Sequence, residues 1–115
     1  MKYRWAIFNA DLNPVIGSEQ KGIRPVIVIS DETFNSVMPV VTILPITSLK
    51  LGRQVYPNET FVKAGIGNLA QDSIILAHQI RTISKQRLIT TIGSLENPAL
   101  QKKIHEALKI HLDFD

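Results

Sequence analysis

Residues 17–30, GSEQKGIRPVIVIS, join a polar loop to an apolar run, and the rest of the chain is interpreted from them. The loop, Gly17–Gly22, begins and ends with glycine, whose backbone can bend where a side chain would prevent it. The β-branched residues of Pro25–Ile29 predict a buried strand. Arg24 lies at the junction, where the following proline favours extended geometry. A guanidinium held at the mouth of a strand can present a fixed charge to an anionic ligand, although a solvated hairpin loop with a surface arginine explains the same pattern.

The composition indicates one ordinary globular domain spanning residues 1–115. Apolar residues make up 44% and charged residues 20% of the chain, which is not the composition of a disordered protein. The net charge of +3 permits nucleic-acid binding but does not by itself indicate it. The absence of cysteine excludes disulfides, thiolate zinc sites and thiol nucleophiles. We expect no signal peptide, no membrane span and a cytoplasmic location.

Short apolar runs separated by turn residues predict about six strands on either side of this stretch. The runs are residues 3–10, 25–29, 38–44, 54–62, 73–77 together with 79–83, and 88–92. The pair 73–77 and 79–83 forms either one bent strand or two. Pro45 is expected to close the third run, and Asp31 to cap a short helical turn with Phe34 as its inward anchor. Trp5 is expected in the core or at its rim, in preference to a stacking platform for a base.

The C-terminal tail is the one convincing helix. Asn97 is its expected cap, and Pro98 suits the first helical position. Its apolar residues recur at helical spacing: Leu100, Ile104, Leu108 and Leu112. The elements together predict a mainly β fold with a C-terminal helix, in which a small, strongly curved antiparallel barrel is filled by side chains. Any site must then lie outside the barrel, in loops or between subunits.

Polar side chains at the expected strand ends are the groups that could do chemistry. They are Ser18, Glu19, Gln20, Arg24, Thr47, Ser48, Gln79 and Arg81. Arginine supplies charge in a planar fork and threonine supplies a short directional hydroxyl, so both suit a phosphate. The residues alone favour plainer roles, with Thr47 forming a turn and Arg81 pairing with a neighbouring carboxylate.

The histidines do not predict a metal site. His105 and His111 are six residues apart on the expected helix and therefore lie on different faces. His78 lies within an apolar run and is interpreted as a core histidine. The sequence contains no phosphate-binding glycine motif and no hydrolase nucleophile motif. We therefore expect neither a metal ion nor another cofactor.

The chain resembles the MazF/PemK toxin family over nearly its whole length. The segments that carry the resemblance, in family order, are Asp11-Leu12-Asn13-Pro14, Gly17–Gly22, Arg24-Pro25-Val26, Pro45-Ile46-Thr47-Ser48, Asp72-Ser73, Gln79-Ile80-Arg81-Thr82 and Lys85-Gln86-Arg87-Leu88. The combination of GSEQ, RPV, PITS and QIRT is highly specific. One departure concerns the N-terminal turn, where the family usually has Arg-Gly-Asp and this chain has Arg4-Trp5-Ala6.

The resemblance implies an SH3-like barrel that forms homodimers, and a metal-independent endoribonuclease that cuts single-stranded mRNA at short sequences, an mRNA interferase. It implies that Arg24 and Thr47 occupy the catalytic positions and that Glu19 is a loop carboxylate that could act as the base. The residues expected to bind RNA are Ser18, Gln20, Lys21, Ser48, Gln79 and Arg81. The expected protein partner is an acidic antitoxin.

The expected reaction is attack of the RNA 2′-hydroxyl on its own phosphorus, which leaves a 2′,3′-cyclic phosphate and a free 5′-hydroxyl. Arg24 and Thr47 would donate to the phosphorane oxygens, and Glu19 is the better proton acceptor. Two alternatives stay open. One is a CcdB-like gyrase-inhibiting binder on the same fold, and the other is a catalytically inactive relative that binds nucleic acid.

Overall fold

A strongly curved antiparallel sheet with a C-terminal helix forms the fold. In the computed structural model, which describes residues 1–114, the chain forms seven strands and two α-helices. The elements are β1 (Ala6–Asp11), β2 (Ile23–Val28), α1 (Glu32–Val37), β3 (Val40–Ser48), β4 (Glu59–Val62), β5 (Ser73–Leu76), β6 (Arg81–Ser84), β7 (Leu88–Ser94) and α2 (Pro98–Leu112). The 3₁₀ turns are Ile66–Asn68, Ala77–Gln79 and Lys85–Arg87.

The strands follow the order β4-β5-β3-β2-β1-β7, and β6 also pairs with β3. Each pairing is antiparallel. The sheet curves strongly, but its hydrogen-bonded path does not close on itself. The predicted fold class, mainly β with a C-terminal helix on a curved antiparallel sheet, is confirmed.

The nine-residue strand β3 is the centre of the sheet because it changes its neighbour part of the way along. Residues 40–43 pair with β6, residues 43–45 pair with β2, and residues 46–48 pair with β5. Pro45 lies where the pairing with β6 has ended and the pairing with β5 begins. Its missing N–H therefore interrupts no continuous ladder on that side. The expectation that Pro45 ends the strand is wrong, since β3 continues to Ser48.

The central strands are buried on both faces. Alternate residues contact α2 in one cluster, which includes Ile7, Ile27, Leu44 and Ile46 together with Ile104 and Ala107. The residues between them pack against β6 in another cluster, which includes Phe8, Val26, Val28 and Ile43 together with Ile83. Burial on both faces explains why Pro25–Ile29 is apolar without alternation, and the predicted buried strand is confirmed at Ile23–Val28.

Several predicted boundaries are corrected by local hydrogen bonds. Residues 3–5 form a turn in which the N–H of Ala6 donates to the carbonyl of Tyr3 at 2.9 Å, so the first strand begins at Ala6. Only Glu59–Val62 of the run 54–62 is a strand. The runs 73–77 and 79–83 are two strands, separated by a 3₁₀ turn.

Helix α1 presents Asn35 to the core in place of Phe34. Phe34 is 60% exposed and Asn35 is 1% exposed, so the expected aromatic anchor is wrong. Asn35 donates to the carbonyl of Ser30 at 2.8 Å and to Glu32 Oε1 at 3.1 Å. The same Glu32 carboxylate accepts the N–H of Arg4 at 2.9 Å. This network joins the N-terminal turn to α1, and a phenyl ring in the same position would leave those polar groups unpaired.

Helix α2 begins as predicted and differs at its end. Asn97 accepts the N–H of Ala99 at 2.9 Å, and Pro98 is the first helical residue. Ile104 and Ala107 are buried, whereas Leu112 is 41% exposed and lies outside the packed face. The predicted stripe is therefore correct in its middle and too long at its C-terminal end.

Trp5 is buried, as expected, at 7% exposure. Its φ angle of 68° lies in the left-handed region that favours glycine, the residue usual at this position in the family that the chain resembles. The backbone of Trp5 joins two segments, since its N–H donates to Val28 and its carbonyl accepts from Leu95, both at 2.8 Å. The turn thus keeps its glycine-like geometry at a strain of about 1–2 kcal/mol, which burial of the indole offsets.

Glu59 is a buried carboxylate that organises the start of β4. Its side chain is 2% exposed, and it accepts two hydrogen bonds from Arg53, at 2.8 and 2.9 Å. It also accepts the N–H of Tyr56 at 3.0 Å and contacts His78 Nε2 at 3.1 Å. The Arg53 hydrogen bonds, with those from Tyr56 and His78, outweigh burial and lower the pKa of Glu59 from 4.5 to about 2.

We expect Glu59→Gln to destabilise the protein by about 3 kcal/mol at pH 7, because it removes a charge that the folded state binds more strongly than water does. A depressed folded-state pKa contributes stability above pH 4.5 that is lost as the pH falls toward 2. The gap between wild type and variant should therefore narrow below pH 4.5. Urea unfolding at pH 7 and pH 3 measures both effects.

Glu106→Gln is the matched control for this prediction. Glu106 is an exposed carboxylate whose ion pair with Lys109 spans 3.7 Å, and such surface pairs add little stability. A pH-independent gap between wild type and Glu59→Gln, or an equal loss in the control, would contradict the assigned role of Glu59.

Candidate functional site

Two clefts open on either side of β3, and between them they contain nearly all the predicted site residues. The Arg24 cleft has a volume of about 300 Å³ and is lined by Arg24, Pro25, Ile46, Thr47, Ser48, Leu69, Ala70, Gln71 and Ser73. The loop cleft has a volume of about 410 Å³ and is lined by Leu12, Ile16, Ser18, Glu19, Gln20, Pro45, His78, Gln79, Ile80 and Arg81. Pro45 and Ile46, neighbours on β3, line different clefts, so the strand forms the wall between them.

The structure brings Arg24 and Thr47 together through the pairing of β2 with β3. Val26 lies opposite Pro45, and continuing this antiparallel register by two residues places Thr47 opposite Arg24. Both side chains are half-buried and line the same cleft. Arg24 Nε also donates to the carbonyl of Lys21 at 2.9 Å, which orients the guanidinium. A planar cation and a hydroxyl donor therefore face one cavity of a size that suits a phosphate group.

The Gly17–Gly22 loop covers the other cleft and is tied to Gln79. The N–H of Gln20 donates to Gln79 Oε1 at 3.3 Å, and Gln79 Nε2 donates to the carbonyl of Ser18 at 3.5 Å. Gln20 Oε1 is buried without a hydrogen-bond partner within residues 1–114. This acceptor is available to a donor that enters the cleft, such as the N–H group of a nucleotide base.

Glu19 lies apart from Arg24 and Thr47. It lines the loop cleft, and its Oε1 accepts the N–H of Ile16 at 2.5 Å within its own loop. Among the residues that the structure describes, the lining of the Arg24 cleft includes neither a carboxylate nor an imidazole. Lys21 is exposed and lines neither cleft, but its carbonyl holds Arg24.

Arg81 and Arg87 bind backbone carbonyls at the base of the loop cleft. Arg81 Nη1 donates to Leu12 at 2.8 Å, and Arg87 Nη1 donates to Asp11 at 3.0 Å and also to Asn13. The contact recorded for Arg81 is thus a neutral carbonyl and not the carboxylate partner considered from the sequence. Because neutral carbonyls leave the guanidinium charges uncompensated, this end of the loop cleft is positive.

Several lining residues were not predicted from the sequence. Ser73 lies opposite Ser48 on β5, and its hydroxyl donates to the carbonyl of Gln71 at 2.8 Å, so both residues help to line the Arg24 cleft. The Asp72-Ser73 segment of the family resemblance was the signal that could have identified them. Arg87 was likewise within a matched segment, but nothing in its spacing indicated a contact with residues 11–13.

The expectation that His78 lies within a strand is wrong. It lies in the 3₁₀ turn Ala77–Gln79 between β5 and β6, is half-buried, and lines the loop cleft. Within residues 1–114 no group of three or more His, Cys, Asp or Glu side chains is placed to hold a metal ion. No helix in the same range is long and apolar enough to cross a membrane.

Comparison with known proteins yields consistent matches over the whole fold. A family model described as "PemK-like, MazF-like toxin of type II toxin-antitoxin system" matches residues 3–112. The endoribonuclease EndoA of Bacillus subtilis is 39% identical over 109 residues, which cover 95% of this chain and 92% of that protein. The endoribonuclease MazF of Staphylococcus saprophyticus is 37% identical over 112 residues, which cover 97% and 92%.

A solved structure shares the fold at lower sequence identity. It is a mycobacterial endoribonuclease in complex with its cognate antitoxin, with a TM-score of 0.81 and 21% identity. The match covers 100% of this chain and 98% of that one.

Proposed function

Because the chain belongs to the PemK-like, MazF-like toxin family of type II toxin–antitoxin systems, we propose that it is an mRNA interferase, an endoribonuclease that cuts single-stranded mRNA at short sequences without a metal ion. The endoribonuclease class follows from the two curated relatives, each of which covers more than nine-tenths of this chain. The observation that carries the mechanism is that Arg24 and Thr47 line one cleft. A substrate of mRNA places the activity in the cytoplasm.

In the proposed reaction the RNA supplies its own nucleophile. The 2′-hydroxyl oxygen bonds to the adjacent phosphorus, and the bond from phosphorus to the 5′-oxygen breaks. The hydroxyl proton leaves with a base, and the departing 5′-oxygen takes up a proton. The products are a 2′,3′-cyclic phosphate and a 5′-hydroxyl. Arg24 and Thr47 donate to the phosphorane oxygens as negative charge develops, and their strands hold the donors in place before the reaction.

Glu19 is our proposed base, and it must move to act. In the structure it is bonded within its own loop and lies in the neighbouring cleft. The loop is flanked by Gly17 and Gly22, whose φ angles are 59° and 80°, so its ends can rotate with little steric resistance. Binding of RNA across β3 would bring the loop toward the scissile phosphate. The other proposed RNA-binding residues, Gln79 and Arg81 among them, already line the cleft that such a strand would cross.

We propose that two copies of the chain assemble so that the RNA groove crosses the two-fold axis, with each copy contributing one Gly17–Gly22 loop. The clefts of one chain measure about 300 and 410 Å³ and are too small for several nucleotides. The proposed protein partner is an antitoxin whose acidic, disordered segment folds into the groove and covers the arginines. A CcdB-like gyrase binder would have no use for the Arg24–Thr47 pair, so the geometry favours the ribonuclease.

Incubation of the purified protein with a long single-stranded RNA in excess EDTA tests the proposed chemistry. We expect cutting to continue and the products to carry 2′,3′-cyclic phosphate and 5′-hydroxyl ends. Products with 5′-phosphates would exclude attack by the 2′-hydroxyl. Loss of cutting in EDTA, with recovery on addition of a divalent ion, would show that the reaction needs a metal.

We expect Arg24→Ala and Thr47→Ala to reduce single-turnover cleavage by at least ~10²–10³-fold, since each removes a donor to the developing oxyanion. Arg24→Lys should recover little, because an ammonium keeps the charge but loses the planar fork. Melting curves should show a folded protein in each case, since neither side chain is in the core. Ser36→Ala, an exposed hydroxyl on α1, is the control for Thr47→Ala. Near wild-type cutting by a folded Arg24→Ala would refute the site assignment.

Sedimentation at micromolar concentration tests the proposed assembly. We expect a dimer, because the groove needs two copies of the loop. A monomer that cuts RNA at the full rate would rule out a shared groove.

A further inference from the structure

His78 connects the buried carboxylate of Glu59 to the loop that covers the substrate cleft. Glu59 is ionised at neutral pH and can only accept hydrogen bonds, so the 3.1 Å contact requires that His78 Nε2 carry the hydrogen. Arg53 and the N–H of Tyr56 hold the carboxylate from its other side. The imidazole is therefore attached to one of the most rigid polar groups of the fold.

The adjacent residue, Gln79, holds the loop. His78 and Gln79 belong to the same three-residue 3₁₀ turn, so the orientation of one constrains the other. The two hydrogen bonds from Gln79 to the loop are long, 3.3 and 3.5 Å, and a shift of a few tenths of an ångström would break them. The loop in turn supplies the Lys21 carbonyl that orients Arg24 at 2.9 Å. A physical connection thus runs from Glu59 to the proposed catalytic arginine.

We propose that His78 is a positioning residue that, through its hydrogen bond to Glu59, aims Gln79 so that the Gly17–Gly22 loop closes over the substrate cleft. The assignment rests on the proposed ribonuclease function for its consequence in catalysis, but the closure of the loop can be measured without RNA. Lys21 is exposed within the loop, and a trypsin cut after it reports how often the loop opens. Lys50 is exposed between β3 and β4 and provides an internal standard in the same digest.

The experiment compares wild type with His78→Ala, Gln79→Ala, the double variant and His78→Gln. We expect tryptic cleavage after Lys21 to rise about tenfold in each Ala variant, the change that corresponds to one or two lost hydrogen bonds. Cleavage after Lys50 should stay unchanged. The double variant should resemble the single variants, because both changes release the same contact. His78→Gln should restore protection, since its amide can donate to Glu59.

The same variants then enter the RNA cleavage assay, with His111→Ala as the control. His111 lies with its ring centroid 6.3 Å from that of His78, but Glu59 is not among its recorded contacts. We expect kcat/KM to fall about tenfold in His78→Ala and Gln79→Ala, and no further in the double variant. Unchanged cleavage after Lys21, equal loosening at Lys50, multiplicative effects in the double variant, or failure of His78→Gln to restore protection would each overturn the proposal. A wild-type protein that does not cut RNA would overturn the proposed function and leave the result on loop closure intact.

Discussion

The rest of the structure depends on the path of β3. This strand pairs with β2 along one side, while its other side passes from β6 to β5. Pro45 lies at that change of neighbour, where a residue without an N–H is tolerated. The same exchange produces two clefts, because Pro45 faces the loop cleft and Ile46 faces the Arg24 cleft. The pairing with β2 also sets Thr47 opposite Arg24. A single constraint on backbone hydrogen bonding therefore shapes the sheet and places the proposed catalytic pair.

The arginines around these clefts differ in how their charge is compensated. Arg53 makes paired hydrogen bonds to the buried Glu59, so its charge is neutralised locally. Arg81 and Arg87 donate to backbone carbonyls, and Arg24 does the same through Nε. Bonds to neutral carbonyls fix the direction of a guanidinium and leave its charge available to an anion. The modest net charge of +3 is thus concentrated where a phosphate backbone would lie.

The position of Glu19 distinguishes charge stabilisation from proton transfer. The Arg24 cleft contains donors for a developing oxyanion, whereas the carboxylate proposed as the base faces the adjoining cleft and is occupied within its loop. Movement of the loop between glycines would join the two functions when substrate binds. The contact between Gln79 and the loop is weak enough to permit this movement. In this arrangement, Glu59 and His78 matter to catalysis although neither touches the Arg24 cleft.

The sequence by itself determined the antiparallel fold, the buried strand after Arg24, the cap of the C-terminal helix and the family, because these follow from local propensity, apolar runs and a specific order of short segments. Tertiary structure decided which of Phe34 and Asn35 faces inward, whether Pro45 ends a strand, and which cleft receives Glu19. It also decided the partners of Glu59, a residue that no sequence pattern had singled out. Glu59 and His78 are 19 residues apart, and Arg87 binds backbone 74 to 76 residues away. Such contacts form only when distant strands are brought side by side, so their energies leave no periodic trace in the sequence.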